Sequence, residues 1–288
     1  MAMQTVKMTF LSEYFDPLST LDCGQIFRFS PFDKGFLVMS KDKCAYLYKD
    51  NDLSIIECEE KDKGYFYNFF DLDRDYKAIF DMAKAQNVEI LTKSANVGKG
   101  IRILNQDKQE TLFSFIISQN NNIPRIKNII EKLCLNLGEK RAFKGREYYT
   151  FPTAQKMAEM AEEFYLGLGL GYRAKYIKSL ADNVANGLNV DEFDKFDTEQ
   201  LKLKLQSLLG VGPKVADCVA LFGYHRSDSF PVDTWIEKVY KEDFLGNIKD
   251  RKKIAEYFVK TFKDNAGYYQ QYLFYYKRSM EKQELNKK

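Results

Sequence analysis

Histidine occurs once and tryptophan once in the 288 residues, and proline only six times. The single histidine, His225, argues against Ser-His-Asp and Cys-His catalysis, and its setting in the polar stretch Gly223–Asp228 predicts a surface loop. Five cysteines, Cys23, Cys44, Cys58, Cys134 and Cys218, are an odd number, widely spaced and without a CxxC pair. That pattern offers neither a disulfide framework nor a thiolate metal site, and it predicts reduced thiols. No apolar run approaches the roughly 18 to 20 residues that cross a bilayer, and Met1–Phe10 lacks the basic, apolar and cleavage segments of a signal peptide. A cytoplasmic protein is therefore expected. With 45% hydrophobic and 15% aromatic residues and a net charge of +3, the chain is neither disordered nor fibrous and can bury a sizeable core, best divided into two domains.

From Thr9 to Glu60, short aromatic and β-branched runs alternate with turn residues: Gly24–Phe29, Gly35–Met39, Cys44–Tyr48 and Leu53–Cys58. This spacing predicts an antiparallel meander. A helix is expected over Arg74–Ala83, with Tyr76, Ile79, Phe80 and Ala83 on one face. Beyond about residue 105 the pattern turns helical, over Thr111–Ile117, Ile123–Leu137, Thr153–Leu166, Arg173–Asn186, Thr198–Leu208, Pro213–Phe222, Asp233–Phe244 and Lys252–Phe262. The fold class is thus α+β: an antiparallel-sheet domain over residues 1–104, then an all-helical domain over 105–288. The polar tail Lys277–Lys288 reads as a solvated, frayed end.

The stretch Leu205–Phe222 carries the chemistry. An amphipathic helix ends at Gly210, a tight turn holds Val211 and Gly212, and Pro213 starts the next helix without losing a needed donor. Gly210 and Gly212 would expose backbone amides at a helix N-terminus, where a phosphate is favoured. A plain αα-hairpin accounts for the glycines equally well. Downstream, Pro231-Val-Asp233 begins another helix with Asp233 at its N-cap, a position worth about 1 kcal/mol without any chemistry. Lys214 beside that carboxylate suits amine nucleophilicity, and burial is expected to lower its pKa toward the working range.

Leu209-Gly-Val-Gly-Pro-Lys214 followed by Phe230-Pro-Val-Asp233 resembles the helix-hairpin-helix signature of base-excision DNA glycosylases. Phe113–Arg125, Leu168–Tyr176 and Cys23–Arg28 narrow the resemblance to 8-oxoguanine DNA glycosylases and extend it over nearly the whole chain. The resemblance implies a TATA-binding-protein-like first domain and a bifunctional enzyme. Lys214 would attack C1′ of the damaged nucleotide, form a Schiff base and nick the strand by β-elimination, with Asp233 stabilising the developing sugar cation. Gly24 would read the N7 proton that distinguishes 8-oxoguanine from guanine, and Gln270 the Watson–Crick edge. Cys218 and Phe274 would sandwich the flipped base. Asn120 would fill the gap it leaves and Tyr172 wedge the opposite strand, while Arg125 and Arg173 grip the orphaned cytosine.

The implied partner is double-stranded DNA containing 8-oxoguanine, bound by a monomer, at the nucleoid in a prokaryote and with no membrane involved. No cofactor is required by the resemblance; it implies a sodium or potassium ion at the carbonyls of Leu209 and Val211, and the iron–sulfur cysteine cluster of other branches is missing. Many relatives carry a histidine where this chain has Trp235, which puts that histidine's role in doubt here. The near-neutral charge requires a local basic face, for which Lys127, Lys132, Arg173, Lys175 and Lys178 are candidates. A glycosylase for another damaged base, or a non-catalytic helix-hairpin-helix module, are the competing readings.

Overall fold

The computed structural model describes residues 4–285. Five antiparallel strands, β1 (Thr5–Leu11), β2 (Phe29–Phe32), β3 (Gly35–Ser40), β4 (Lys43–Asp50) and β5 (Leu53–Glu59), form a sheet in the order β1-β5-β4-β3-β2. Three two-residue turns link β2 to β5, each opened by a left-handed residue: Asp33, Lys41 and Asn51, with φ of 47°, 53° and 52°. Such turns match the twist of a hairpin. β1 extends the expected meander by pairing along β5, Thr5 opposite Glu59 to Leu11 opposite Leu53.

Both faces of the sheet are covered. Helices α1 (Pro17–Leu21) and α2 (Lys63–Phe69) close one face over Val38, Leu47, Ile56, Phe66 and Phe70. Helices α3 (Tyr76–Ala85) and α4 (Glu89–Val97) follow, and Tyr76, Ile79, Phe80 and Ala83 are all buried. The chain then enters α5 (Lys108–Ser118) and α6 (Ile123–Leu137). A second hairpin, β6 (Lys140–Phe143) with β7 (Arg146–Tyr149), lays Phe143 and Tyr148 on the other sheet face against Leu37, Tyr46 and Ile55. The sequence pattern did not announce this hairpin, whose exposed positions are mostly charged.

The remaining helices are α7 (Ala154–Ala158), α8 (Glu162–Gly167), α9 (Ala174–Ala185), α10 (Thr198–Gln206), α11 (Pro213–Phe222), α12 (Thr234–Glu242), α13 (Arg251–Phe262) and α14 (Ala266–Leu285). The expected helix over Thr153–Leu166 is two helices, because Ala161 is extended and α8 restarts with Glu162 and Glu163 in its first turn, where the helix dipole favours acids. One core joins α3 to α14 with Cys23 and Phe27 of the first segment.

Three expectations are corrected. Residues Gly24–Arg28 do not form a strand: Gln25 is fully buried, its amide donating to the carbonyls of Thr20 at 2.9 Å and Arg102 at 2.7 Å while its oxygen accepts from Leu104 N at 2.9 Å. His225 is no surface histidine; its Nε2 lies 3.2 Å from Tyr268 Oη and 3.3 Å from Asp71 Oδ2, linking α14 to the turn after α2. The polar tail is helical through Leu285, and Lys277 pairs with Glu242 at 2.6 Å; residues 286–288 lie outside the described residues.

Candidate active site

Lys214 occupies the first turn of α11, directly after the Gly210–Gly212 turn. Gly210 has φ +84°, and a Cβ there would stand 2.3 Å from the Tyr176 ring, so the turn can close on α9 only with glycine. Gly212 is different: it is extended, caps α11, and has open space where a Cβ would lie. Asp233 caps α12, its Oδ1 accepting from Trp235 N at 2.9 Å and Ile236 N at 3.0 Å. The Trp235 ring carries no such bond and lies under the Lys238 ammonium, 5.1 Å away.

Four remote stretches of chain converge on one cavity. Cys23 and Gly24, then Phe115, then Lys214, Cys218, Phe222, Pro231 and Asp233, then Gln270, Gln271 and Phe274 line a space of about 50 Å³. Helix α11 places Lys214 and Cys218 four residues apart on one face, and α14 does the same for Gln270 and Phe274. Gly24 has φ +82°, and a Cβ there would press within 3.2 Å of the Phe274 ring, so only glycine brings its backbone against that wall. Gln270 donates to the Pro231 carbonyl at 3.1 Å, and among the described residues its own oxygen is buried without a partner. Such an acceptor is completed by a donor from outside.

The electrostatics of the lysine differ from expectation. Burial, the largest influence, lowers the Lys214 pKa, but Cys218 and Asp233 outweigh it and the net direction is upward from 10.5. Burial, the largest influence, pushes the Cys218 thiol up to about 11 against the opposing pull of Lys214. The Asp233 carboxyl is itself raised by burial, against the opposing pull of the Ile236 and Trp235 amides and of Lys214. The lysine thus rests as a cation and must lose its proton before it can attack.

A second cluster lies on the surface around the hairpin. Asn120 is exposed with φ +44°, Tyr172 is half-exposed, and Arg125 is exposed with Nη2 donating to the Gly169 carbonyl at 3.1 Å. Gln119 joins this cluster to the hairpin through the Gly210 carbonyl at 2.9 Å. Arg173 departs from expectation, for it is buried, and its donors go to the carbonyls of Gln119, Asn120 (2.9 Å) and Leu170 (3.1 Å). In this state it shapes the Asn120 turn and does not present a fork to a base. Two of the other expected cations are engaged locally: Lys127 sits 3.6 Å above the Phe29 ring, half-buried in a cleft beside the sheet, with its pKa lowered by burial, and Lys178 is paired with Asp182.

Sequence reasoning passed over Phe115, Phe222, Gln119 and Asp217. The last carried a signal, since a lone carboxylate interrupts the apolar run Val215–Phe222 of α11. All five cysteines are buried free thiols, and among the described residues no His, Cys, Asp and Glu cluster fit for a metal occurs. No helix among the described residues is long and apolar enough to cross a membrane.

Known proteins resemble this chain along both halves. Residues 7–112 match the 8-oxoguanine DNA glycosylase N-terminal domain, and residues 113–264 the HhH-GPD superfamily of base excision DNA repair proteins. The 8-oxoguanine glycosylase/lyase of Clostridium acetobutylicum, solved with double-stranded DNA containing cytosine opposite 8-oxoguanine, is 37% identical, with 93% of each chain superimposed at a TM-score of 0.88. The N-glycosylase/DNA lyase of Saccharomyces cerevisiae is 36% identical over 67% of this chain and 54% of its own length. That of Arabidopsis thaliana is 34% identical over 61% of this chain and 52% of its own. The match spans about half the length of these two relatives.

Proposed function

Since the chain belongs to the 8-oxoguanine DNA glycosylase family of the HhH-GPD superfamily, we propose that it excises 8-oxoguanine from double-stranded DNA and nicks the abasic strand through a covalent lysine intermediate. The observation that carries this reading is the meeting of Gly24, Lys214, Cys218, Asp233, Gln270 and Phe274 in one cavity from three distant stretches of chain. A space of about 50 Å³ is far short of a purine, so entry of a flipped base requires the wall to give, and Phe274 is its half-buried ring.

Once a base is seated, the Gly24 carbonyl accepts from N7–H, a donor that guanine lacks, and the unpartnered Gln270 oxygen accepts from the Watson–Crick edge. The Lys214 amine, after losing its proton, attacks C1′ as the bond from C1′ to the base nitrogen breaks and the base leaves with the electron pair. Asp233 stabilises the positive charge on the sugar. The C1′ amine then opens the sugar to a Schiff base, which acidifies the C2′ hydrogen, and loss of that proton expels the 3′ phosphate. Asn120, Tyr172 and Arg125 stand together at the mouth of the hairpin and are suited to the gap and the orphaned cytosine; Arg173 joins them only if its carbonyl partners release it. The Gly210 carbonyl is engaged by Gln119, whereas no backbone amide among the described residues donates to Leu209 O or Val211 O, and these two are suited to a sodium or potassium ion at the phosphate-binding turn.

Excision from duplexes carrying 8-oxoguanine opposite each of the four bases, methylated adenine, or undamaged guanine tests the reading. Release of 8-oxoguanine, fastest opposite cytosine and less selective in Arg125→Ala, is expected. Release of the alkylated base alone indicates a different lesion specificity, and binding without any release indicates a DNA-binding module.

A further inference from the structure

The face of α14 that carries two cavity residues continues beyond the cavity lining to Arg278. Gln270, Phe274 and Arg278 stand at i, i+4 and i+8, and Arg278 is 6% exposed, whereas the neighbouring Lys277 pairs at the surface. A buried guanidinium is costly unless its charge is matched and its donors are used. Its Nη2 donates to the Asp22 carbonyl and to Asp22 Oδ2 at 3.1 Å, which fastens α14 to the turn that sets Gly24 at φ +82°. The group also lies 5.4 Å from the centroid of the Phe274 ring.

The rest of the fork is unspent. Among the described residues Nε and Nη1 are buried without a partner, and Nη1 lies 3.7 Å from the position a Cβ would take on Gly24. Buried donors without a protein partner are available to a ligand, and a charged donor makes the stronger hydrogen bond. The base that reaches Gly24 brings N7 to that glycine. On 8-oxoguanine the atom bonded next to N7 is C8, which bears an oxygen; on guanine it bears a hydrogen, which cannot accept.

Resting on the function proposed above, we propose that Arg278 is a specificity-determining residue that holds the Asp22–Gly24 turn and supplies a charged donor to the C8 oxygen of the lesion. Gly24 and Arg278 then read adjacent atoms of one ring, and guanine fails both contacts. The abasic site has no base, so strand cleavage at a preformed abasic site does not use this contact.

The experiment measures single-turnover release of 8-oxoguanine and of guanine, with cleavage of a preformed abasic duplex, for wild type, Arg278→Ala and Arg278→Lys. The expected result is a loss of at least about tenfold in 8-oxoguanine release and in the 8-oxoguanine to guanine ratio for Arg278→Ala, with abasic cleavage within about twofold of wild type. Arg278→Lys keeps the charge but not the fork and falls between; it also supplies the reading if the alanine variant does not fold. Equal loss of base release and abasic cleavage, or an unchanged ratio, overturns the proposal. If wild type cleaves the abasic duplex but releases no 8-oxoguanine, the functional reading fails and this inference with it.

Discussion

Ser229 Oγ donates to Asp217 Oδ1 at 3.0 Å, and this buried bond joins the helix that carries Lys214 to the segment that ends at Asp233. Lys202 Nζ, from α10, approaches the same oxygen at 3.4 Å. Lys214 and Asp233 belong to consecutive helices, α11 and α12, which this bond ties together. Ser229→Ala leaves the carboxylate short of a donor, at a cost of about 1–3 kcal/mol. Unfolding by denaturant should record that loss, and single-turnover excision should fall several-fold with little change in DNA affinity. Unchanged excision would show that the bond serves stability alone.

The same carboxylate gives stability a pH dependence. Burial, only partly opposed by Lys202 and Ser229, pushes Asp217 from 3.8 up to about 6. Between those values the folded protein keeps a proton that the unfolded chain releases, so this group's contribution falls as pH rises, by on the order of 3 kcal/mol in all. Asp217→Asn cannot titrate. Denaturant melts at about pH 4 and about pH 7 should therefore show the stability of wild type relative to the variant decreasing with pH. A relative stability that grows with pH would contradict the assigned direction.

The two hairpin glycines, alike in sequence, should respond differently to alanine. Gly210 combines φ +84° with a Cβ position 2.3 Å from Tyr176, whereas Gly212 has neither constraint. Gly210→Ala is expected to cost about 1–3 kcal/mol and to weaken duplex binding. Gly212→Ala should leave the melting temperature nearly unchanged, and thermal melts with a binding titration would expose equal effects if the turn were not built this way.

Burial lowers the Lys214 pKa, but Cys218 and Asp233 turn it upward from 10.5, so the lysine starts as an ammonium. Because only the neutral amine attacks, the rate of covalent capture should climb about tenfold per pH unit between roughly pH 7 and about pH 9. A rate already level at neutral pH would mean that the bound complex depresses the lysine.

The sequence was most legible where a pattern is local. Ile123–Leu137 and Pro213–Phe222 are helices at the expected bounds, since a proline in the first turn and an apolar stripe define each one within its own residues. The pairing of Asp233 with the amides of Trp235 and Ile236 was legible for the same reason. What escaped depends on partners far along the chain. His225 reads as a loop residue until Asp71 and Tyr268 meet it, and Arg173 reads as a surface cation until the carbonyls of Gln119 and Asn120 enclose it. The net direction of the Lys214 pKa is not legible in the motif, because burial lowers it while Cys218 and Asp233, the latter far along the chain, turn it upward.

Borohydride trapping on a duplex with 8-oxoguanine opposite cytosine, with wild type beside Lys214→Gln, tests the central claim most directly. The account predicts a reduced protein–DNA adduct with wild type and none with the variant, which should still bind the lesion duplex. Adduct formation by Lys214→Gln, or release of free base by wild type with no adduct at all, would contradict it.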